Sequence, residues 1–227
     1  MSHGVMNKQA VRARLDEIGI IPAIRTASAE EARFASETIS GAGIPVVEIT
    51  MTVPGALSVI ADLVRAMPDL VVGAGTVLDV EVARQCIEAG AGFVTSPGLD
   101  PRVVEFAIGH DVLVMPGALT PSEVMAAWQA GADLIKVFPC AQLGGASYIR
   151  ALKSPFPHVP LVGAGGVDHQ TAADFILAGA VAVGVGTELV PRRAITARDA
   201  HWIGELARRL LSIVKEARGQ AQPRHEP

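Results

Sequence analysis

QAGADLIKVF, residues 129–138, runs from an Ala-Gly pair straight into an apolar segment, and the chain repeats that cadence. GAGIPVVEIT (41–50), EAGAGFVTSP (88–97) and LAGAVAVGVG (177–186) share it. Each reads as a helix end followed at once by a strand. Glycine suits the position after a helix, where the chain needs a positive φ. The β-branched run that follows suits a strand. Four further apolar runs fall between them: GIIPAIR (19–25), DLVVGAGTV (69–77), DVLVMPG (111–117) and HVPLVGAGG (158–166). Eight strands are therefore predicted, starting near residues 20, 45, 70, 92, 111, 133, 159 and 180.

Segments of helical period separate them, among them Ser28–Gly41, Val80–Gly90, Ser122–Ala130 and Thr171–Ala178. Ser28, Asp79 and Thr120 stand where N-caps belong. Continuous Val/Ile/Leu strands alternating with amphipathic helices indicate a parallel sheet buried on both faces. Eight such units, each of roughly 20–25 residues, suit a closed (β/α)8 TIM barrel of the α/β class better than an open doubly wound sheet. The expected organisation is a single domain over residues 1–227, with the barrel at about 19–192. An N-terminal helix (about 6–18) and a C-terminal helix (about 198–218) are expected outside the barrel, followed by a frayed tail, GQAQPRHEP.

Composition narrows the function. Half of the 227 residues are hydrophobic and only 4% are aromatic, so the core is aliphatic. The net charge of −4 and the absence of a basic stripe argue against nucleic acid as a partner. They argue equally against an anionic membrane surface. The N-terminus has no apolar core of a signal peptide, and no apolar run reaches the roughly 18 residues of a membrane span. Cys86 and Cys140 make no disulfide framework. A cytoplasmic protein with reduced thiols is expected.

Chemistry in such barrels is carried by the C-terminal ends of the strands. Two charges lie inside the apolar runs, Glu48 in the second predicted strand and Lys136 in the sixth. Alternation places Glu48 with Val46 and Thr50, and Lys136 with Leu134 and Phe138. Both strands are even-numbered, so both side chains can enter one interior layer. A structural ion pair there would gain little net stability. Lysine has a chemical use that fits: burial disfavours an ammonium, and a neutral amine adds to a ketone to form a Schiff base. The iminium then draws electrons from the neighbouring carbon–carbon bond, and Glu48 is the available group for moving protons.

GAGG after the seventh strand and GVGT after the eighth point to an anion held by backbone N–H groups. Asp168 and the residues after it suggest a helix starting just past Gly166. No metal is expected: His3, His110, His158, His169, His201 and His225 show no ligand spacing. Cys140 has no histidine placed to activate it and reads as a packing residue. No dinucleotide fingerprint is present, and no cofactor is expected.

At these residues the chain resembles the class I 2-keto-3-deoxy-6-phosphogluconate (KDPG) and 4-hydroxy-2-oxoglutarate (KHG) aldolases, over roughly residues 15–192. VVEIT, VGAGTV, SPG, MPG, KVFP, GGV and VGVG occur in the family's order. The resemblance implies that Lys136 forms the Schiff base and Glu48 shuttles protons. It implies a substrate site built from Arg25, Thr52, Thr76, Pro97, Phe138, Gly165, Gly166, Gly186 and Thr187. It also implies a small-molecule keto-acid substrate, cleavage to pyruvate and an aldehyde, and a homotrimer. Two positions depart from the family pattern. Thr52 stands where many members carry a carboxylate-binding arginine, a role Arg25 can take. Ala164 stands where many have a threonine near the phosphate. Two other readings remain at this point: a phosphate-binding barrel enzyme without a covalent intermediate, such as an epimerase or synthase, and a non-catalytic assembly subunit.

Overall fold

A computed structural model describes residues 6–221. The repeated cadence builds strands β1 (Ile20–Ile24), β2 (Val46–Thr50), β3 (Val71–Gly75), β4 (Phe93–Thr95), β5 (Leu113–Met115), β6 (Gly117–Ala118), β7 (Ile135–Val137), β8 (Leu161–Ala164) and β9 (Ala182–Val185). Helices α1 (Lys8–Ile18), α2 (Ala29–Gly41), α3 (Ala56–Ala66), α4 (Val80–Glu88), α5 (Pro101–Gly109), α6 (Pro121–Gln129), α7 (Ala146–Lys153), α8 (Ala172–Leu177), α9 (Arg192–Thr196) and α10 (Ala200–Ala221) complete the described chain. All strand pairs are parallel, in the order β5-β4-β3-β2-β1-β9-β8-β7-β6.

The Ala-Gly repeat has one physical meaning throughout. Ala42, Ala89, Ala130 and Ala178 each cap a helix C-terminus. The glycine that follows each is left-handed, with φ between 91° and 102° (Gly131 and Gly179) or within that span (Gly43 and Gly90). The residue after the glycine then donates back into the helix: Ile44 to Ile39, Ala91 to Cys86, Ala132 to Ala127 and Ala180 to Phe175. This is the Schellman arrangement, which satisfies the last helical carbonyls and turns the chain into the next strand. At the other helix ends, the side chains of Ser28, Asp79 and Thr120 accept the N–H of Glu31, Val82 and Glu123. Thr120 and Glu123 form a full capping box.

The fifth predicted strand is two strands rather than one. Pro116 has no N–H to donate, and there the chain leaves β4 and joins β7. Leu113–Met115 pair with β4, while Gly117 and Ala118 pair with Lys136 and Val137. This bend closes the sheet, so β5 and β6 together occupy one of eight positions round the barrel. Gly117 is obligatory there, because a Cβ would sit 2.1 Å from the Pro97 carbonyl oxygen.

Helix α1 touches β2, β5 and β9, which are spread round the barrel, and so lies across its N-terminal end. Val11, Leu15 and Ile18 are buried there, and Lys8 pairs with Asp133 at 2.9 Å. Helix α10 packs along α8 and α2. Its Arg218 donates to the carbonyls of Asp16, Glu17 and Val181, tying the last helix to the end of the first. The expected tail is therefore helical as far as Ala221, and the rest of it lies outside the described residues.

The Gly117 contact gives a stability prediction. Gly117→Ala forces backbone against backbone, and overpacking of this kind costs about 1–3 kcal/mol. A urea titration should show a lowered midpoint with an unchanged slope.

Candidate active site

Register and alternation fix what faces the barrel axis. Glu48 is level with Ala23 of β1 and Gly73 of β3. Lys136 is level with Gly117 of β6 and Val162 of β8. Strands β2 and β7 stand four steps apart whichever way the closed sheet is followed, so the two charged side chains oppose each other. Three of these four neighbours, Ala23, Gly73 and Gly117, are small, which leaves room for both. At Gly75, one layer above Gly73, a Cβ would lie 2.0 Å from Glu48 Oε1. The carboxylate occupies the space this glycine leaves.

Lys136 Nζ lies 3.7 Å from Glu48 Oε2, with the side chains 13% and 4% exposed. That separation suits an ion pair, or a link through one water, better than a direct hydrogen bond. The ammonium also lies 5.5 Å from the centroid of the Phe138 ring, within cation–π range. A buried pair of this kind gains little stability over apolar residues. Its placement at the strand ends is what a reactive site requires.

The two groups open into a cavity of about 240 Å³ at the C-terminal end of the barrel. Of the residues predicted for the site, Arg25, Glu48, Thr76, Pro97, Lys136, Phe138, Gly165, Gly166, Gly186 and Thr187 all line it. Thr52 does not. It follows β2 in an exposed turn, and its hydroxyl lies 2.8 Å from that of Thr50. Arg25 is exposed at the mouth and makes no ion pair among the described residues. Thr76 has a φ of 62°, a left-handed backbone that is uncommon for a β-branched residue and marks stored strain.

Sequence reasoning missed Ala23, Val167, Gly184 and Glu188, which also line the cavity. Ala23 and Gly184 carried a usable signal, since each shares the inner face of a predicted strand. Glu188 carried none, because it lies in an irregular turn beyond β9. The glycine-rich ends form a cradle: the N–H groups of Gly165, Gly166, Val167 and Thr187 donate to no acceptor among the described residues. The helix expected just past Gly166 begins only at Ala172. Asp168 holds the intervening residues in a turn by accepting the N–H of Gln170 and Thr171. The cradle is therefore made of loop amides rather than of a helix end. Thr95, two residues past Phe93 on β4, is fully buried, and its hydroxyl has no hydrogen-bond partner among the described residues.

Three comparisons bear on this geometry. Residues 11–206 match the family model for KDPG and KHG aldolase. The 2-dehydro-3-deoxy-phosphogluconate aldolase of Treponema pallidum is 34% identical over 200 residues, covering 88% of this chain and 95% of the relative. The KHG/KDPG aldolase of Escherichia coli is 31% identical over 196 residues, covering 86% and 92%. Among solved structures, the KDPG aldolase of Legionella pneumophila superposes with a TM-score of 0.81 at 28% identity, covering 90% of this chain and 98% of that one. That structure holds pyruvate captured as a covalent carbinolamine.

The two thiols stand apart from this chemistry. Burial pushes Cys86 up to about 12 and Cys140 up to about 11. Cys140 sits under the loop after β7, with Sγ 3.4 Å from the Gly145 carbonyl oxygen. With a pKa near 11, roughly one Cys140 in a thousand is a thiolate at pH 8. Both cysteines should resist iodoacetamide in the folded protein at pH 8 and react rapidly in 6 M guanidinium. Peptide mass spectrometry reads the two states, and fast native labelling of Cys140 would contradict the packing role.

Proposed function

Since the chain belongs to the KDPG and KHG aldolase family, we propose that its cavity cleaves a 4-hydroxy-2-keto acid to pyruvate and an aldehyde by class I chemistry. The observation that carries this reading is Lys136 facing Glu48 across the barrel mouth at 3.7 Å. Lys136 Nζ passes a proton to the Glu48 carboxylate and attacks the C2 ketone. The carbinolamine regains that proton from Glu48 on its oxygen, water leaves, and an iminium remains. Glu48, through a water, then removes the proton of the C4 hydroxyl. The C3–C4 bond breaks, its electron pair moves into the iminium to form an enamine, and the aldehyde departs. Protonation at C3 and hydrolysis release pyruvate and restore the amine.

The other lining residues have roles that follow from their chemistry. Arg25 carries the free positive charge at the mouth and holds the keto-acid carboxylate, with Thr76 beside it. Pro97 and Phe138 form walls that keep water from the enamine. The amides at Gly165, Gly166 and Thr187, with Gly186, hold the distal end of the substrate. Thr52 has no part in this arrangement. One domain over the whole chain, a homotrimer and a cytoplasmic setting belong to the same reading. Exposed Leu78, Ile108, Met125 and Trp128, on neighbouring βα units, offer apolar surface for a trimer contact. No helix among the described residues is long and apolar enough to cross a membrane.

Borohydride reduction in the presence of pyruvate should leave one reduced pyruvyl adduct, mapped by peptide mass spectrometry to Lys136. Lys136→Ala should form none. Glu48→Gln should still form the adduct but lose roughly 10²–10⁴-fold in turnover, the usual worth of a general acid–base. An active enzyme with no adduct would instead favour a barrel chemistry without a covalent intermediate.

A further inference from the structure

Strand register places Thr95 in the same layer as Glu48 and Lys136. Glu48 is level with Gly73, and Gly73 with Phe93; two residues past Phe93 is Thr95. Thr95 is level with Met115, and Gly117, two residues on, is level with Lys136. Lys136 is level with Val162, and Val162 with Ala182; Gly184, two residues on, is level with Ile21. Two residues past Ile21 is Ala23, which is level with Glu48 again. Climbing two residues for every two strands follows one layer across a barrel of tilted strands. That layer takes its residues from alternate strands: Glu48, Thr95, Lys136 and Gly184.

In this layer Thr95 stands between the carboxylate and the amine, and Gly184 stands across from it. Gly184 lines the cavity and has no side chain, so the layer is open on that side. Thr95 is closed in on the other. It is fully buried, and its hydroxyl has no hydrogen-bond partner among the described residues. A buried hydroxyl without a partner costs stability, and valine would fill nearly the same space without that cost. Glu48 has the complementary lack. Among the described residues its one polar contact is Lys136 Nζ at 3.7 Å, beyond hydrogen-bond length. Its Oε1 lies 2.0 Å from the place of a Cβ on Gly75. Gly75 follows Ala74, which is level with Val94, and so stands beside Thr95 on the adjoining strand. Neighbouring strands are about 4.8 Å apart. The carboxylate is therefore about one strand spacing from the Thr95 side chain, and a turn of χ1 re-aims the hydroxyl.

The reaction changes what Glu48 has opposite it. In the resting site the Lys136 amine faces it. Once that nitrogen is bonded to C2 of the keto acid as an iminium, it retains a single N–H, and the carboxylate still has to be aimed at the proton it moves. A hydroxyl can donate to a carboxylate, and a hydrogen bond to a charged acceptor is the stronger kind. We infer that Thr95 is a positioning residue for this reaction, whose hydroxyl donates to the Glu48 carboxylate when Lys136 is held as the iminium and keeps it in line for proton transfer. This rests on the aldolase reading above and adds a third group to it.

The test is exchange of the pyruvate methyl protons in D2O, followed by NMR in the intact protein. At saturating pyruvate, Thr95→Val should exchange about 10–100-fold more slowly than the wild type, the scale of a hydrogen bond to a charged group. The pyruvate concentration for half-maximal exchange should not move. Thr95→Ser, which keeps the hydroxyl, should exchange at close to the wild-type rate. The urea midpoint of Thr95→Val should equal or exceed that of the wild type, because an unpaired buried hydroxyl is removed. In a Glu48→Gln background, adding Thr95→Val should change exchange by less than about twofold, since the two residues act on one step. Wild-type exchange by Thr95→Val, a loss that Thr95→Ser shares, a lowered midpoint, or a full further loss in the Glu48→Gln background each overturns the inference. Borohydride trapping with pyruvate separates the two levels. An adduct on Lys136 with exchange unmoved by Thr95→Val removes this inference alone, while no adduct on the wild type removes the aldolase reading and this inference with it.

Discussion

Closing a parallel sheet of eight positions brings opposite strands within reach of two side chains, and Glu48 against Lys136 depends on that closure. The pair in turn constrains what surrounds it. Ala23, Gly73 and Gly117 stand level with the two charges, and a Cβ on Gly73 would meet the Phe93 ring while one on Gly117 would meet the Pro97 carbonyl. Gly75 is bare because Glu48 Oε1 lies where its Cβ would be. Beneath this layer the interior becomes an ordinary aliphatic core, with Ile21 and Val46 buried. The barrel is thus packed at one end and hollow at the other, and the charges sit at the boundary.

Most of this was legible in the sequence because it rests on local rules. The Ala-Gly cadence is a Schellman cap with a strand behind it, and its four occurrences mark four of the strand starts. Ser28, Asp79 and Thr120 cap helices as their types predict. Glu48 and Lys136 stood out because a charge in an apolar run breaks the pattern. What was not legible depends on contacts between distant segments. Pro116 splits the fifth strand because the chain must leave β4 for β7, which no window of local sequence records. Thr52 resembles a site residue by position, yet in the folded chain it does not line the cavity. Glu188 lies in a turn with no period, so only the folded chain reveals that it borders the cavity.

The cavity divides its work along its length. Near the barrel axis, the amine and the carboxylate are desolvated and close, as covalent chemistry and proton transfer require. At the mouth, Arg25 supplies one formal charge and Thr76 one hydroxyl on a strained backbone. At the far side, loop amides offer hydrogen-bond donors. Family membership establishes the kind of reaction, and the residues that depart from the family pattern bear on the substrate.

The central claim is that Lys136 and Glu48 act as two halves of one device, one forming the iminium and the other moving the proton. Exchange of the pyruvate methyl protons for deuterium, followed by NMR in D2O with no aldehyde present, tests it most directly. The account predicts exchange by the wild type, none above background for Lys136→Ala, and a loss of about 100-fold or more for Glu48→Gln, which retains the amine. Exchange at the wild-type rate by Lys136→Ala, or by Glu48→Gln, would contradict it.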